Sequence, residues 1–123
     1  MNYTIYYQED DEIIFINAKG RFDFNEFLLK TKEAVELSEQ HACNKILVDC
    51  SQIASGNTNM AKILAIPEEY EKHKVTHSFK IGLVESKDPV ANKNVAFYET
   101  VCRNRGWLAQ VFPDLESARQ WLK

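Results

Sequence analysis

The fold follows from residues 45–49, Lys-Ile-Leu-Val-Asp, a short apolar run that ends in an acid. Such a run indicates a buried central strand of an α/β sheet. The stretch that comes after it, from Ser51 to Asn59, is rich in Ser, Gly, Asn and Thr, and it predicts a loop. The other predicted elements are placed on either side of this strand and loop.

Upstream of the central strand, the sequence predicts a hairpin. Residues 3–7, YTIYY, are rich in aromatic and β-branched residues, and residues 13–16, IIFI, resume that pattern after the polar turn at residues 9–11. Because the connection is short, the two strands are expected to pair antiparallel.

A helix is predicted between the hairpin and the central strand. Asp23 and Glu26 have the spacing of a capping box, and apolar residues recur at helical spacing from Phe24 to Val35. The side of this helix that is expected to face solvent carries Lys30, Lys32, Glu33 and Glu36.

Downstream, helices and strands alternate. A helix begins near Met60 and is interrupted or restarted at Pro67, and a strand follows at residues 79–84. Asp88 and Pro89 are a cap and a first helical residue for a third helix, which ends at Gly106. Residues 107–112 predict a fifth strand, and a last helix begins at Pro113-Asp114, with Leu115, Ala118 and Leu122 facing the core. The predicted fold is therefore one α/β domain over residues 1–123, a mixed five-stranded sheet with four helices in the order β-β-α-β-α-β-α-β-α.

Composition disfavours several classes of function. The chain has 123 residues and a net charge of −3, and its Lys and Arg residues are scattered, whereas a nucleic-acid-binding module usually presents a basic face. The N-terminal residues resemble no signal peptide, and no apolar run approaches the roughly 20 residues that a bilayer span needs. Three cysteines without a CxxC spacing fit reduced thiols. We expect a cytoplasmic protein with no membrane span and no nucleic-acid partner.

Three stretches carry a resemblance to a known family: residues 45–53, 96–106 and 111–122. With the order of elements, they resemble the small bacterial SpoIIAA-like (STAS-like) proteins, which are also grouped with STAS/SEC14-type domains. The resemblance implies a non-enzymatic regulatory or protein-interaction module like the anti-sigma-factor antagonists. In those proteins the loop after the third strand carries an Asp-Ser-Ser-Gly motif, whose phosphorylated Ser switches partner binding.

The corresponding residues here depart from that motif. The stretch that matches it by counting from Asp49 is residues 57–60, Asn-Thr-Asn-Met, with Asn59 in the place of the phosphorylated Ser. Asn is no substrate for a Ser/Thr kinase, so we expect the family's phosphoserine switch to be absent. Thr58 is then the first candidate phosphoacceptor, with Ser55 and Ser51 as alternatives.

The candidate partner or ligand site is the loop after the central strand. It lies where open α/β sheets bind ligands and just before a helix N-terminus, which suits an anion. The alternative is a structural loop that caps its own helix through Asn57 or Thr58. The candidate residues are Asp49, Cys50, Ser51, Ser55, Asn57, Thr58 and Asn59.

Other chemistries have weaker support in the sequence. Cys50 as a nucleophile would need a nearby base, and nothing places His41, His73 or His77 beside it. His73 and His77 are four residues apart but lack a third metal ligand, and no nucleotide-binding motif occurs. We therefore predict no catalytic residues, no metal and no cofactor. Glu68, Glu69 and Glu71 are interpreted as solvated helix charges.

Three functional hypotheses remain. The first is a protein-interaction module. A homodimer is one form of it, and the aromatic residues that suggest this are Tyr3, Tyr6, Tyr7, Trp107 and Trp121. The second, suggested by the SEC14 side of the resemblance, is a carrier or sensor of a small apolar or anionic ligand. The third is a thiol-dependent enzyme that uses Cys50. An apolar pocket of several hundred cubic ångströms would favour the second, and a filled interior with a flat loop-and-helix surface would favour the first.

Overall fold

The sheet has five strands in the spatial order β1-β2-β3-β4-β5, with an antiparallel β1–β2 hairpin and parallel pairing from β2 to β5. The computed structural model describes residues 2–54 and 60–123. The strands are β1 (Asn2–Gln8), β2 (Ile13–Arg21), β3 (Lys45–Ala54), β4 (Lys80–Val84) and β5 (Leu108–Phe112). The helices are α1 (Phe24–His41), α2 (Met60–Leu64), α3 (Ile66–Lys72), α4 (Pro89–Asn104) and α5 (Leu115–Leu122). The predicted mixed sheet and order of strands are confirmed.

The helix count differs from the prediction by one. The segment counted as one helix, interrupted or restarted at Pro67, is two short helices, α2 and α3, and Pro67 is in the first turn of α3. Proline has no amide hydrogen to continue the α2 ladder but fits a helix N-terminus, so the chain restarts there.

Aspartate caps start three of the helices. The Asp23 carboxylate accepts from the Glu26 amide 2.9 Å away, and the Asp88 carboxylate accepts from the Val90 amide at 3.1 Å. Asp114 does the same for α5, with Ser117 as the donor at 2.8 Å. Each bond satisfies an amide that the first turn leaves without a helical partner.

Helices α1 to α4 pack on one face of the sheet and α5 packs on the other. The larger core cluster joins alternate strand residues such as Ile16, Val48 and Leu83 to side chains of α1, α2, α3 and α4. The smaller cluster places Ala118 and Leu122 of α5 against the opposite face. Connections of one handedness that always step in the same direction across a sheet leave their helices on one face.

Gly82 of β4 lies on the face of the sheet that α5 covers. A Cβ atom at Gly82 would lie 3.5 Å from the Leu122 side chain, which is ordinary contact. Lys80, at the start of β4, donates to the Trp121 carbonyl, and its ammonium lies 4.4 Å from the centre of the Trp121 ring. These contacts hold the last helix against the sheet.

The outer edge of β5 is covered by side chains of α4. The Val111 amide donates to a Glu99 carboxylate oxygen at 2.6 Å, and Arg103 Nε donates to the Ala109 carbonyl, also at 2.6 Å. Backbone groups on an edge strand otherwise invite pairing with another chain. The two charged side chains therefore protect this edge.

In residues 2–54 and 60–123, no helix combines the length and the apolar character that crossing a membrane requires.

The edge protection gives a first prediction. The double variant Glu99→Ala, Arg103→Ala should lose about 1 kcal/mol of folding free energy for each lost bond and should self-associate through β5. Urea denaturation and light scattering measure the two effects. The control variant Lys93→Ala, at an exposed position of the same helix, should change neither the folding free energy nor the self-association. A double variant that is as monodisperse and as stable as the wild type would contradict the role given to these side chains.

Candidate functional site

The loop predicted after the central strand begins later in the structure than we expected from the sequence. Ser51 is not in a loop, because β3 continues to Ala54. The reason is non-local: β2 extends to Arg21 and pairs with the end of β3, Arg21 opposite Ala54, after a register shift between Asn17 and Lys19. Pairing with β2 thus extends β3 over polar residues whose composition alone predicts a loop. Ser55, Asn57, Thr58 and Asn59 lie outside the described residues.

The strand geometry separates the candidate residues that it contains. Asp49 accepts a hydrogen bond from the Asn17 amide at 3.3 Å and one from the Ser51 backbone amide at 3.0 Å. Cys50, between them, points to the opposite face of the sheet and is 3% exposed. Because successive strand residues face opposite ways, Asp49, Cys50 and Ser51 do not form one site.

Cys50 is poorly suited to nucleophilic chemistry. Burial raises the pKa of its thiol to about 12, with Lys30 acting in the opposite direction and Asp49 adding to the rise. The thiol is thus protonated at neutral pH, whereas the reactive form of cysteine is the thiolate. Cys43 and Cys102 are free and buried as well.

The cation that acts on the pKa of Cys50 is Lys30, which the sequence analysis placed on the solvent side of its helix. That prediction was wrong for Lys30, which is 7% exposed. The buried residues of α1 are Phe27, Lys30, Thr31, Ala34 and Val35, so Lys30 occupies a position of the apolar stripe. This spacing was the available signal: Lys30 is three residues after Phe27 and four before Ala34.

The Lys30 ammonium lies 4.4 Å from the centre of the Phe27 ring, close enough for a cation–π interaction. Among residues 2–54 and 60–123, no hydrogen-bond or ion-pair partner reaches this ammonium. Burial lowers the pKa of Lys30 to about 8, and the neighbouring Cys50 offsets this only in part. The Lys30 side chain is thus largely removed from water, which is costly for a cation because apolar surroundings replace its hydration with little in return.

Lys30 lines a cavity of about 100 Å³ between the sheet and the helices α1 to α4. Most of its wall is apolar, with contributions from Ile16, Val48, Cys50 and Leu83 on the strands. Pockets for drug-sized ligands measure roughly 300 to 1,000 Å³. The cavity is therefore too small for the several hundred cubic ångströms that a carrier of a larger apolar ligand would need.

Two tyrosines form a buried polar pair on the same wall. The hydroxyls of Tyr70, on α3, and Tyr98, on α4, are 2.6 Å apart. Burial raises the pKa of both tyrosines well above the usual value, and for Tyr98 the neighbouring Tyr70 adds to the rise. Both hydroxyls are neutral at physiological pH, so they offer Lys30 no counter-charge.

The histidines have structural contacts instead of a shared site. His73 is 3.4 Å from a Glu69 oxygen, whereas His77 packs on the Trp107 ring and is hydrogen-bonded to the Arg105 carbonyl at 3.1 Å. Tyr7 stacks on His41 with ring centres 4.0 Å apart. Within the described part of the chain, no three His, Cys, Asp or Glu side chains are grouped as metal ligands.

The aromatic residues that suggested an interface do not form one surface. Trp107 is 2% exposed and donates to the Val75 carbonyl at 3.0 Å. Trp121 packs against Phe112, and Tyr3 donates to Glu33 at 3.2 Å. Of these aromatics only Tyr6 is an exposed large side chain, at 46%.

Comparison with known proteins identifies the architecture. No family model matches the chain, and no curated protein matches it. Among solved structures, an anti-sigma-factor antagonist, SpoIIAA in its unphosphorylated form, is similar to it with a TM-score of 0.52 at 15% sequence identity. The similarity covers 94% of this chain and 92% of that one. The chain has a SpoIIAA-like fold.

The SpoIIAA-like likeness confirms the fold that the resemblance in the sequence implied. At 15% identity it concerns the backbone architecture, and it transfers no residue roles. The buried Lys30 and its cavity are therefore interpreted from this chain's own contacts.

The buried ammonium makes stability depend on pH. The pKa of Lys30 is about 8 in the folded chain, whereas an ordinary lysine, as in the unfolded chain, has a pKa of 10.5. Between these values the unfolded chain binds more protons, and stability rises with pH. Below about pH 8 the full penalty applies, on the order of 3 kcal/mol.

We therefore expect Lys30→Met to be more stable than the wild type at neutral pH. Their difference should narrow by roughly 1 kcal/mol between about pH 7 and pH 9, as Lys30 loses its proton in the folded wild type. Urea denaturation at several pH values measures this difference. Lys32→Met, an exposed change on the same helix, is the control and should show no such trend. Parallel pH profiles for the wild type and Lys30→Met would contradict the burial of a charged Lys30.

The thiols give a further prediction. In the native protein, Cys43, Cys50 and Cys102 should react with a chromogenic disulfide reagent many times more slowly than in denaturant, because all three are buried and free. Rapid modification of Cys50 in the native chain would revive the thiol-enzyme hypothesis. The readout is the absorbance of the released thiolate over time, with and without urea.

Proposed function

We propose that this chain is a non-enzymatic regulatory module that binds a protein partner through the surface around α2. The observation that carries the proposal is the exposure of large apolar side chains there. Met60 and Leu64 of α2 are 54% and 55% exposed, and Val90, in the first turn of α4, is 58% exposed. We call Met60, Leu64 and Val90 the α2 surface.

The construction of α2 supports this role. Met60 and Leu64 are four residues apart, so they share one face of the helix. Ile63 anchors the helix from its other side, being 3% exposed, and α2 packs against α4. A five-residue helix gains little stability by itself, so apolar residues turned toward solvent need another explanation. An apolar face or groove on a partner protein supplies one.

The fold agrees with such a role. The SpoIIAA structure belongs to an anti-sigma-factor antagonist, a protein that acts on another protein. Here α2 follows the segment after β3, the same segment that the sequence resemblance connects with partner binding. Exposed apolar side chains at this position therefore support a protein partner more than a catalytic role.

The partner-binding proposal is tested with serine substitutions. Leu64→Ser and Met60→Ser should each lower the amount of co-purified partner by about fivefold or more, because truncating a central apolar contact typically costs over 1 kcal/mol. Leu29→Ser is the matched control: Leu29 is equally exposed, at 55%, but lies on α1. Quantitative mass spectrometry compares the proteins that tagged variants retain from host cells.

The same comparison separates the alternatives. If light scattering shows a dimer that Leu64→Ser dissociates and Leu29→Ser does not, the occupant is a second copy of this chain and the regulatory partner is wrong. If no protein depends on Met60 or Leu64, the proposed surface is wrong.

We propose further that partner binding does not use the phosphoserine switch of the anti-sigma-factor antagonists. Asn59 stands where the resemblance places the acceptor, and Thr58 is the remaining first candidate. Thr58→Ala and Thr58→Glu should both retain the partner as the wild type does. Phosphopeptide mapping of the protein from host cells, together with loss of the partner in Thr58→Glu alone, would instead establish Thr58 as a shifted switch.

A further inference from the structure

We propose that the cavity lined by Lys30 binds a small organic monoanion, a carboxylate with a short apolar chain. This inference does not depend on the α2 surface or on any partner protein. It rests on the ammonium of the largely buried Lys30, which has no ion-pair partner among the described residues, on the apolar wall around it and on the volume of the cavity.

The charge of the ligand follows from the lack of an anionic partner for Lys30 among the described residues. The titratable groups that line the cavity with it are Cys50 of β3, Tyr70 of α3 and Tyr98 of α4, and all three are neutral at physiological pH. The Thr31 hydroxyl donates to the Phe27 carbonyl at 2.9 Å. A carboxylate would supply the missing counter-charge, and the charge-assisted hydrogen bond to an ammonium is strong in apolar surroundings.

A single negative charge suits the site better than two. One ammonium neutralises one carboxylate, and the second charge of a phosphate dianion would be left unpaired among apolar side chains. The wall also offers a neutral donor: Asn94, from α4, lines the cavity and makes no hydrogen bond to any residue that the structure describes.

The volume limits the length of the ligand. A cavity of about 150 Å³ holds benzene, and one water molecule occupies about 30 Å³ in the liquid. The roughly 100 Å³ here therefore suits about four non-hydrogen atoms. Acetate meets this limit, whereas a long-chain fatty acid or a nucleotide exceeds it.

The experiment is a calorimetric and NMR titration of the full chain with sodium acetate near neutral pH. We expect saturable binding, with shifts at methyl groups of cavity residues such as Val48 and Leu83. Lys30→Met should weaken binding by about tenfold or more, since it removes the ligand's only opposite charge. Lys32→Met should bind as the wild type does.

Three comparison ligands and one pH series sharpen the result. Acetamide, the uncharged analogue, should bind more weakly than acetate, and inorganic phosphate and octanoate should not compete for the cavity. Affinity for acetate should fall as pH rises above about 8, where Lys30 loses its proton. The proposal is overturned if acetate does not saturate, if acetamide binds equally well, or if Lys30→Met retains wild-type affinity.

Discussion

The structure depends on the way the chain crosses its sheet. From β2 to β5 every connection advances by one strand in the same direction, so the helices α1 to α4 all lie on one face. That layer has to cover four parallel strands with helices of different lengths, from five residues in α2 to 18 in α1. The gap that remains beneath it is the cavity, and α5 covers the other face by itself. Both proposed sites are consequences of this one-sided arrangement.

The burial of Lys30 is tolerated because the surrounding apolar contacts outweigh it. Fully burying one large apolar side chain contributes about 1.5 to 3 kcal/mol, and α1 buries Phe27 and Val35 against the sheet. The charged ammonium costs about as much as one such residue contributes. In a domain whose net stability is roughly 5 to 15 kcal/mol, that is a substantial cost. An apolar residue at this position would remove it, which supports a role for the charge in binding.

Local rules predicted much of the fold and little of the site. The caps at Asp23 and Asp88, the hairpin and the central strand follow from spacing and composition within a few residues. The extension of β3 to Ala54 could not be predicted locally, because it depends on where the paired strand β2 ends. Lys30 was assigned to the solvent side because it is charged, although its spacing places it within the apolar stripe of α1. Cys50 and its neighbours could be assigned to opposite faces of the sheet only once the structure showed that this segment is a strand.

The most direct test of this account is the ionisation of Lys30 itself. The side-chain NMR signal of its terminal methylene or nitrogen, assigned by comparison with Lys30→Met, can be followed across a pH titration of the folded protein. We expect a midpoint near the pKa of about 8 that burial imposes. A midpoint at the ordinary lysine value of 10.5 would mean that the ammonium is hydrated, and it would contradict both the burial of Lys30 and the binding site built around it.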